Sequence, residues 1–207
     1  MKITIFTSNS PRHFCLINKL SKIAKTFTVI ETKTKFPGRL KGFFDKSDLH
    51  KKYFEKVDKS ELKFFKNHHT LKKIEEALII QQGDLNYINR KEINNFLKSD
   101  VYIIFGSSFI KGWLLKFLIN KKAINIHMGV SPYYKGSSCN FWALYDRNIN
   151  MIGSTIHYLS AKLDGGDMIM NVYPKKKYKS GFDFTMRSVL DTHNTLFNLI
   201  KSRKLFK

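Results

Sequence analysis

The sequence predicts an α/β protein: an open, mostly parallel sheet with helices on both faces. Three observations carry that expectation. The chain opens on a short β-rich run, KITIFT at 2–7, followed at once by a helix-start signal and an amphipathic stretch. After a charged middle section it returns to an uninterrupted apolar run, DVYIIF at 100–105, the pattern of a strand buried on both faces. From there strand-like and helix-like segments alternate, the usual order of a sheet built from crossover units.

Each element follows in turn. Ser8-Asn9-Ser10-Pro11 places a polar cap before a proline at the first helical position, where its missing N–H costs nothing. Phe14, Ile17, Leu20 and Ile23 then recur at helical spacing, predicting a helix over 12–25. FTVIET at 27–32 is the second strand. The next section is lysine-rich with paired aromatics and predicts a helical insertion at about 37–97, with helices near 44–66, 69–80 and 90–97. GDLNYIN, between the last two, is a short strand or turn. The alternation beyond it predicts helices near 111–119, 138–147 and 181–203, and strands at 123–127, 152–159 and 166–173. With 207 residues, 43% of them hydrophobic, and no internal repeat or low-complexity linker, one domain over 1–207 is expected.

The net charge of +21 has two readings. A basic surface suits an anionic partner such as nucleic acid, a membrane or a phosphorylated ligand. Only six of the 37 basic residues are arginine, however, and Lys, Asn, Ile and Phe are all abundant, as an AT-rich genome would dictate. The lysines are also spread along the chain, and a nucleic-acid footprint is clustered, so codon bias is favoured. Cys15 and Cys139 are far apart and lack metal-ligand spacing, so no metal is expected. With no secretory pattern at the start, they point to a reducing, cytoplasmic setting. The most apolar window, 101–120, is interrupted by Lys111 and Lys116 and is no membrane span.

Chemistry concentrates in two places. In AINIH, Asn125 and His127 are two residues apart and project from one face of a strand, while Ile126 turns to the core. They stand at a strand's carboxyl end, where α/β sheets bind ligands. An amide suits a developing oxyanion, and an imidazole holds or passes a proton. A carboxylate to orient the imidazole is supplied by Asp164 in KLDGGDMI, with Asp167 as its rival. Alone, Asn-x-His recurs by chance and Asp-Gly-Gly is a turn signal; the combination is what rises above chance.

Taken together, these motifs resemble the folate-dependent formyltransferases. DVYIIFG, NIHMGVSPYYKG and IGSTIHYLSAKLDGGDMI are similar, in register, to the family's folate-side strand, its Asn-x-His segment and its Gly-x-Thr-x-His strand with Leu-Asp-x-Gly turn. The N-terminal strand and helix resemble the family's first βα unit, so only 37–95 stands outside the likeness. The resemblance implies a Rossmann-like formyltransferase fold, with Asn125, His127 and Asp164 as the catalytic trio. It implies 10-formyltetrahydrofolate as formyl donor, held by backbone around Phe105, Gly106, Phe109, Lys111, Ser160 and Leu163. His157, in the same motif, has either a supporting or a structural role.

The acceptor amine is read from departures. TSNSPRH replaces the glycine-rich phosphate turn of the glycinamide ribonucleotide enzymes, although Arg12 at a helix start still suits an anion. The chain ends 43 residues after Asp164, which disfavours a tRNA acceptor and its extra domain. The SNSPRH and SPYYKGSSCNFWAL stretches look most like the branch that formylates nucleotide-linked amino sugars, with Tyr133, Tyr134 and Lys135 in the loop as substrate contacts. A small, anionic amine acceptor is therefore expected, with no tRNA, DNA or membrane partner. A homodimer through the inserted region or a sheet edge is left open. The alternatives are a glycinamide ribonucleotide-type enzyme, a formyl-folate hydrolase, and a non-catalytic basic binding protein.

Overall fold

The computed structural model of the protein describes residues 1–32, 47–176 and 178–206. Seven strands form one sheet: Lys2–Ser8 (β1), Lys25–Thr32 (β2), Glu76–Gln81 (β3), Val101–Phe105 (β4), Ile124–His127 (β5), Ser154–Tyr158 (β6) and Met168–Val172 (β7). Their spatial order is β3-β2-β1-β4-β5-β6-β7. β3 through β5 are parallel, and β6 and β7 add antiparallel to that edge. The α-helices among the described residues are Pro11–Leu20 (α1), Asp48–Phe65 (α2), Gly112–Asn120 (α3), Cys139–Tyr145 (α4) and Gly181–Lys201 (α5). None of the helices among the described residues is long and apolar enough to cross a membrane.

The apolar run of β4 has its expected cause. Val101, Ile103 and Phe105 face one core with Ile3, Ile5 and residues of α1 and α5, while Tyr102 and Ile104 face a second core with Phe6 and residues of α3. Each fully buried isoleucine here is worth roughly 1.5–3 kcal/mol over an exposed one. Strand order reverses between β1 and β4, because the chain builds outward to β3 before returning. At such a switch point the loops leaving the two strands part and open a crevice. α1 begins as its residues dictate: Ser10 is extended, Pro11 opens the helix, and the Ser10 N–H donates to His13 Nδ1 at 3.3 Å. It ends at Leu20, because the chain must turn before β2 begins at Lys25.

One expected element is corrected. The helix over 69–80 is absent, and Glu76–Gln81 is instead the edge strand β3, paired parallel to β2 from Phe27 opposite Glu76 to Thr32 opposite Gln81. Leu78 and Ile80 pack against the second core while Ile79 is 63% exposed, a two-residue alternation that a helix would scramble. The N–H and C=O groups of β2 gain ladder partners only if this segment is extended. The expected helix at 90–97 contracts to a 3₁₀ turn at Asn94–Leu97, and GDLNYIN holds another at Asp84–Asn86. The helix expected near 44–66 is α2; the part of the insertion at 37–46 lies outside the described residues.

One buried group makes stability depend on pH. His193 of α5 is fully buried against Phe65 and Phe105, and neither ring nitrogen has a partner among the described residues. Burial first, and then the nearby basic groups Lys19, His68 and Arg12, push its pKa down to about 3. The unfolded chain therefore takes up a proton below about pH 6.5 that the folded chain refuses, and stability falls as pH drops from there toward 3. His193→Phe is expected to flatten this acid limb. Thermal unfolding midpoints at pH 5 and pH 7.5 check it: the wild-type difference should shrink in the variant.

Candidate active site

The geometry at the end of β5 begins with strand register. Asn125 lies directly opposite His157 on antiparallel β6, so the two side chains share one face. Asn125 Nδ2 is 3.0 Å from His157 Nε2. His157 Nδ1 is 2.8 Å from the Tyr158 carbonyl, to which it donates. The second Nδ2 hydrogen reaches Asp164 Oδ1 at 3.5 Å, a long contact.

Asp164 comes from the turn after β6. Its Oδ2 stands 3.2 Å from His127 Nδ1 and accepts the Gly136 N–H at 2.9 Å, while Oδ1 lies 3.8 Å from His157 Nε2. Burial raises this carboxyl's pKa, but the His157 ring, the Gly136 N–H and the His127 ring together outweigh burial and hold it below its ordinary value. The site therefore carries an ionised carboxylate. His127 Nε2 lies 2.8 Å from the Tyr134 carbonyl. Both neighbours of that ring are acceptors, so the form that satisfies both carries a hydrogen on each nitrogen. Asp167, the rival, has an exposed side chain, and its carbonyl accepts the Tyr158 N–H at 2.9 Å.

Glycines permit this packing at two points. A Cβ on Gly166 would stand 1.7 Å from the Tyr158 carbonyl oxygen, so the turn that delivers Asp164 closes only with glycine there. Gly106, at φ +71°, lies where a Cβ would meet His13 Nε2 at 2.6 Å.

The trio borders a cavity of about 330 Å³. Phe105, Gly106, Phe109, Ser160 and Leu163 line it, together with Asn125, His127, His157 and Asp164. Lys111 does not; its N–H donates to Asn86 Oδ1 at 2.7 Å and its ammonium sits 6.0 Å from the Phe109 ring. Arg12 is bound to Glu61 at 2.9 Å, tying α1 to α2. Tyr133 and Lys135 are exposed beyond the rim, whereas Tyr134 touches His127 through its carbonyl and donates its hydroxyl to Asp146 at 3.0 Å.

Three contributors escaped the sequence reading. The Gly136 N–H is a backbone group and leaves no side-chain signal. Cys139 Sγ is 3.6 Å from His127 Nε2, and burial first, then the Asp164 charge, push its thiol up to about 11, so it stays protonated. Glu31, fully buried near the end of β2, accepts from Gly83 N–H at 2.9 Å, from the Ser108 hydroxyl at 2.6 Å and from the Ser108 N–H. It thereby pins the Ser107–Ser108 wall of the cavity. A carboxylate closing the apolar run FTVIET was the available signal.

Residues 91–193 match the family model described as "Formyl transferase". Over 100 residues the chain is 28% identical to formyltetrahydrofolate deformylase 2, mitochondrial, of Arabidopsis thaliana, a span covering 48% of this chain and 28% of that protein. Among solved structures, phosphoribosylglycinamide formyltransferase from Bacillus halodurans superposes with a TM-score of 0.60 at 17% identity, over 97% of this chain and 95% of that one. A sugar N-formyltransferase from Shewanella sp. gives 0.58 at 13% identity, over 97% and 68%. A 4-N formyltransferase from Francisella tularensis gives 0.55 at 18% identity, over 100% and 70%. At these identities the superpositions establish a common fold.

Glu31→Ala would leave three part-buried donors without their acceptor, and a loss of roughly 1–3 kcal/mol is expected. Thermal unfolding reads the loss, and amide hydrogen exchange at Gly83 and Ser108 should quicken; unchanged exchange at both would remove Glu31 as the pin.

Proposed function

Over residues 91–193 the chain belongs to the formyl transferase family, and from that premise we propose that it moves a formyl group from 10-formyltetrahydrofolate to the primary amine of a small acceptor, a nucleotide-linked amino sugar. The observation that carries this reading is the convergence of Asn125, His127 and Asp164 on one carboxylate-centred cluster at the mouth of the 330 Å³ cavity. The folate co-substrate would occupy that cavity, against the backbone of Phe105–Phe109 and Ser160–Leu163. The formyl group would then lie at the Asn125–His127 edge.

The residues divide the work as follows. The acceptor nitrogen forms a bond to the formyl carbon, and the carbonyl electrons move onto oxygen. The Asn125 hydrogen whose contact to Asp164 is long, at 3.5 Å, is the one available to that oxyanion. His127 adds positive charge beside it in the form that carries a hydrogen on each nitrogen, the form that satisfies both Asp164 and the Tyr134 carbonyl. Asp164, ionised, balances that charge and takes the proton lost by the amine, directly or through one water. Collapse of the intermediate breaks the bond to the folate nitrogen, which receives the proton. His157, 3.0 Å from Asn125 Nδ2 and bonded to the Tyr158 carbonyl, holds the Asn125 amide in place. Tyr133 and Lys135 are exposed on the loop after β5, and Lys111 and Arg12 are held elsewhere by Asn86 and Glu61.

A second reading is favoured by the sequence match to a protein named formyltetrahydrofolate deformylase. There water takes the place of the amine and formate leaves, with the same three side chains in the same roles.

One assay separates them. Purified protein is mixed with 10-formyltetrahydrofolate, with and without nucleotide-linked amino sugars, and tetrahydrofolate release is followed. Release that depends on the sugar is expected; release without it supports hydrolysis, and no release in either case overturns both. Asn125→Ala, His127→Ala and Asp164→Asn are each expected to lower kcat by roughly 100-fold or more, with donor binding changed only slightly. Near-normal turnover in Asp164→Asn would remove Asp164 from the mechanism.

A further inference from the structure

An open groove of about 690 Å³ runs between α3 and the segment 90–98. It lies on the face of the sheet opposite α1 and α5, for α3 packs Leu114 and Leu118 into the second core while those helices pack into the first. The helix wall follows from spacing. Trp113, Lys116, Phe117 and Lys121 recur at three- and four-residue steps, which places them on one flank of α3. Arg90 and Lys98 stand on the other wall. Four cations and two aromatic rings therefore border one space.

The groove has a fixed floor and mobile charges. Trp113 Nε1 donates to the Ile88 carbonyl at 3.2 Å, and Phe117 meets the buried Tyr102 ring edge-on at 5.5 Å. The four cations are exposed, on long flexible stems. Glu92, the carboxylate of the segment 90–98, turns back to accept the Asn89 N–H at 2.8 Å. The groove also begins where the donor cavity ends. Phe109 and Ile110 line that cavity, and Trp113, three residues further on, opens the groove. The junction is bonded: Asn86 Nδ2 donates to the Phe109 carbonyl at 2.9 Å, and the Lys111 N–H to Asn86 Oδ1 at 2.7 Å. Lys111 adds a cation at the crossing, its ammonium 6.0 Å from the Phe109 ring.

We propose that this groove receives a γ-linked polyglutamate tail on the folate donor, its carboxylates meeting Arg90, Lys98, Lys116 and Lys121. The proposal rests on the donor named above and adds the form in which that donor is held. A folate is a flat ring system with a glutamate at its far end, and further glutamates extend that end as a flexible polyanion. With the ring system in the cavity, the tail leaves past Phe109 and Lys111 and passes over the start of α3 into the groove. Lysines on flexible stems suit single carboxylates strung along such a chain, whereas a compact phosphate is best met by converging, forked donors. Each exposed pair is weak alone. The gain comes from several in a row, on a tail already tethered to a bound ring system.

Calorimetry with tetrahydrofolate carrying one glutamate or five tests this, since neither ligand has a formyl group to lose. Wild-type protein is expected to bind the pentaglutamyl form about tenfold more tightly, an advantage that shrinks at about 0.5 M salt. In the double variant Lys116→Glu, Lys121→Glu the ratio between the two ligands should fall to near one. The double variant Lys59→Glu, Lys201→Glu makes the same change in net charge at exposed positions of α2 and α5, across the sheet, and should keep the tenfold ratio. Thermal unfolding shows that both variants are folded. Equal wild-type affinity for the two ligands, or the same loss of advantage in both variants, would overturn the proposal and leave the donor reading standing. Binding of neither ligand would overturn both. A short single-stranded RNA bound by wild type and lost only in the groove variant, with no preference for the pentaglutamyl ligand, would reassign the groove to nucleic acid. The expected ratios without formyl transfer to any acceptor would uphold the groove and defeat the transfer reading alone.

Discussion

The Asp164 carboxylate is the interaction around which the candidate site is organised. Its two oxygens face the Asn125 amide, the His127 and His157 rings and the Gly136 N–H, and so draw together β5, the β6 turn and the loop after β5. Such a buried charge persists only because it is answered on every side. The consequence reaches into the fold. A position between parallel β4 and antiparallel β6 makes β5 the place where a crossover sheet meets a hairpin, and Asp164 lies on the turn of that hairpin.

The loop from Ser131 to Ser138 has a different part. Its Tyr134 carbonyl and Gly136 N–H close the outer edges of His127 and Asp164, while Met128 and Gly136 stand between two cavities. One side of this loop is polar and rigidly bonded; the other opens on aromatic side chains of α2, α4 and α5. Glu31 and Ser108 do for the first cavity what the aromatic cluster does for the second, fixing a wall.

Much of this was legible in the residues. The apolar run of β4, the Ser10-Pro11 helix start and the Asn-x-His pair at a strand end each express a local rule, and local rules are what a sequence displays most openly. The trio became readable because strand periodicity puts Asn125 and His127 on one face and two glycines follow Asp164. β3 was misread because EALIIQ satisfies either periodicity over so short a length, and the decision belongs to its long-range pairing with β2. The apolar space between α2, α4 and α5 was invisible for a similar reason: Tyr53, Phe141 and Phe182, which line it, are distant in sequence. The positive charge, by contrast, left little trace in the site, where the group at the centre is an anion.

The most direct measurement is transfer of a labelled atom. Protein is incubated with 10-formyltetrahydrofolate carrying carbon-13 in the formyl group and with a nucleotide-linked amino sugar, and the products are resolved by mass spectrometry. Recovery of the label on the sugar nitrogen, dependent on the Asp164 carboxylate, is the predicted result. Label recovered only as formate, or left on the folate, would contradict the assignment of this cluster to formyl transfer.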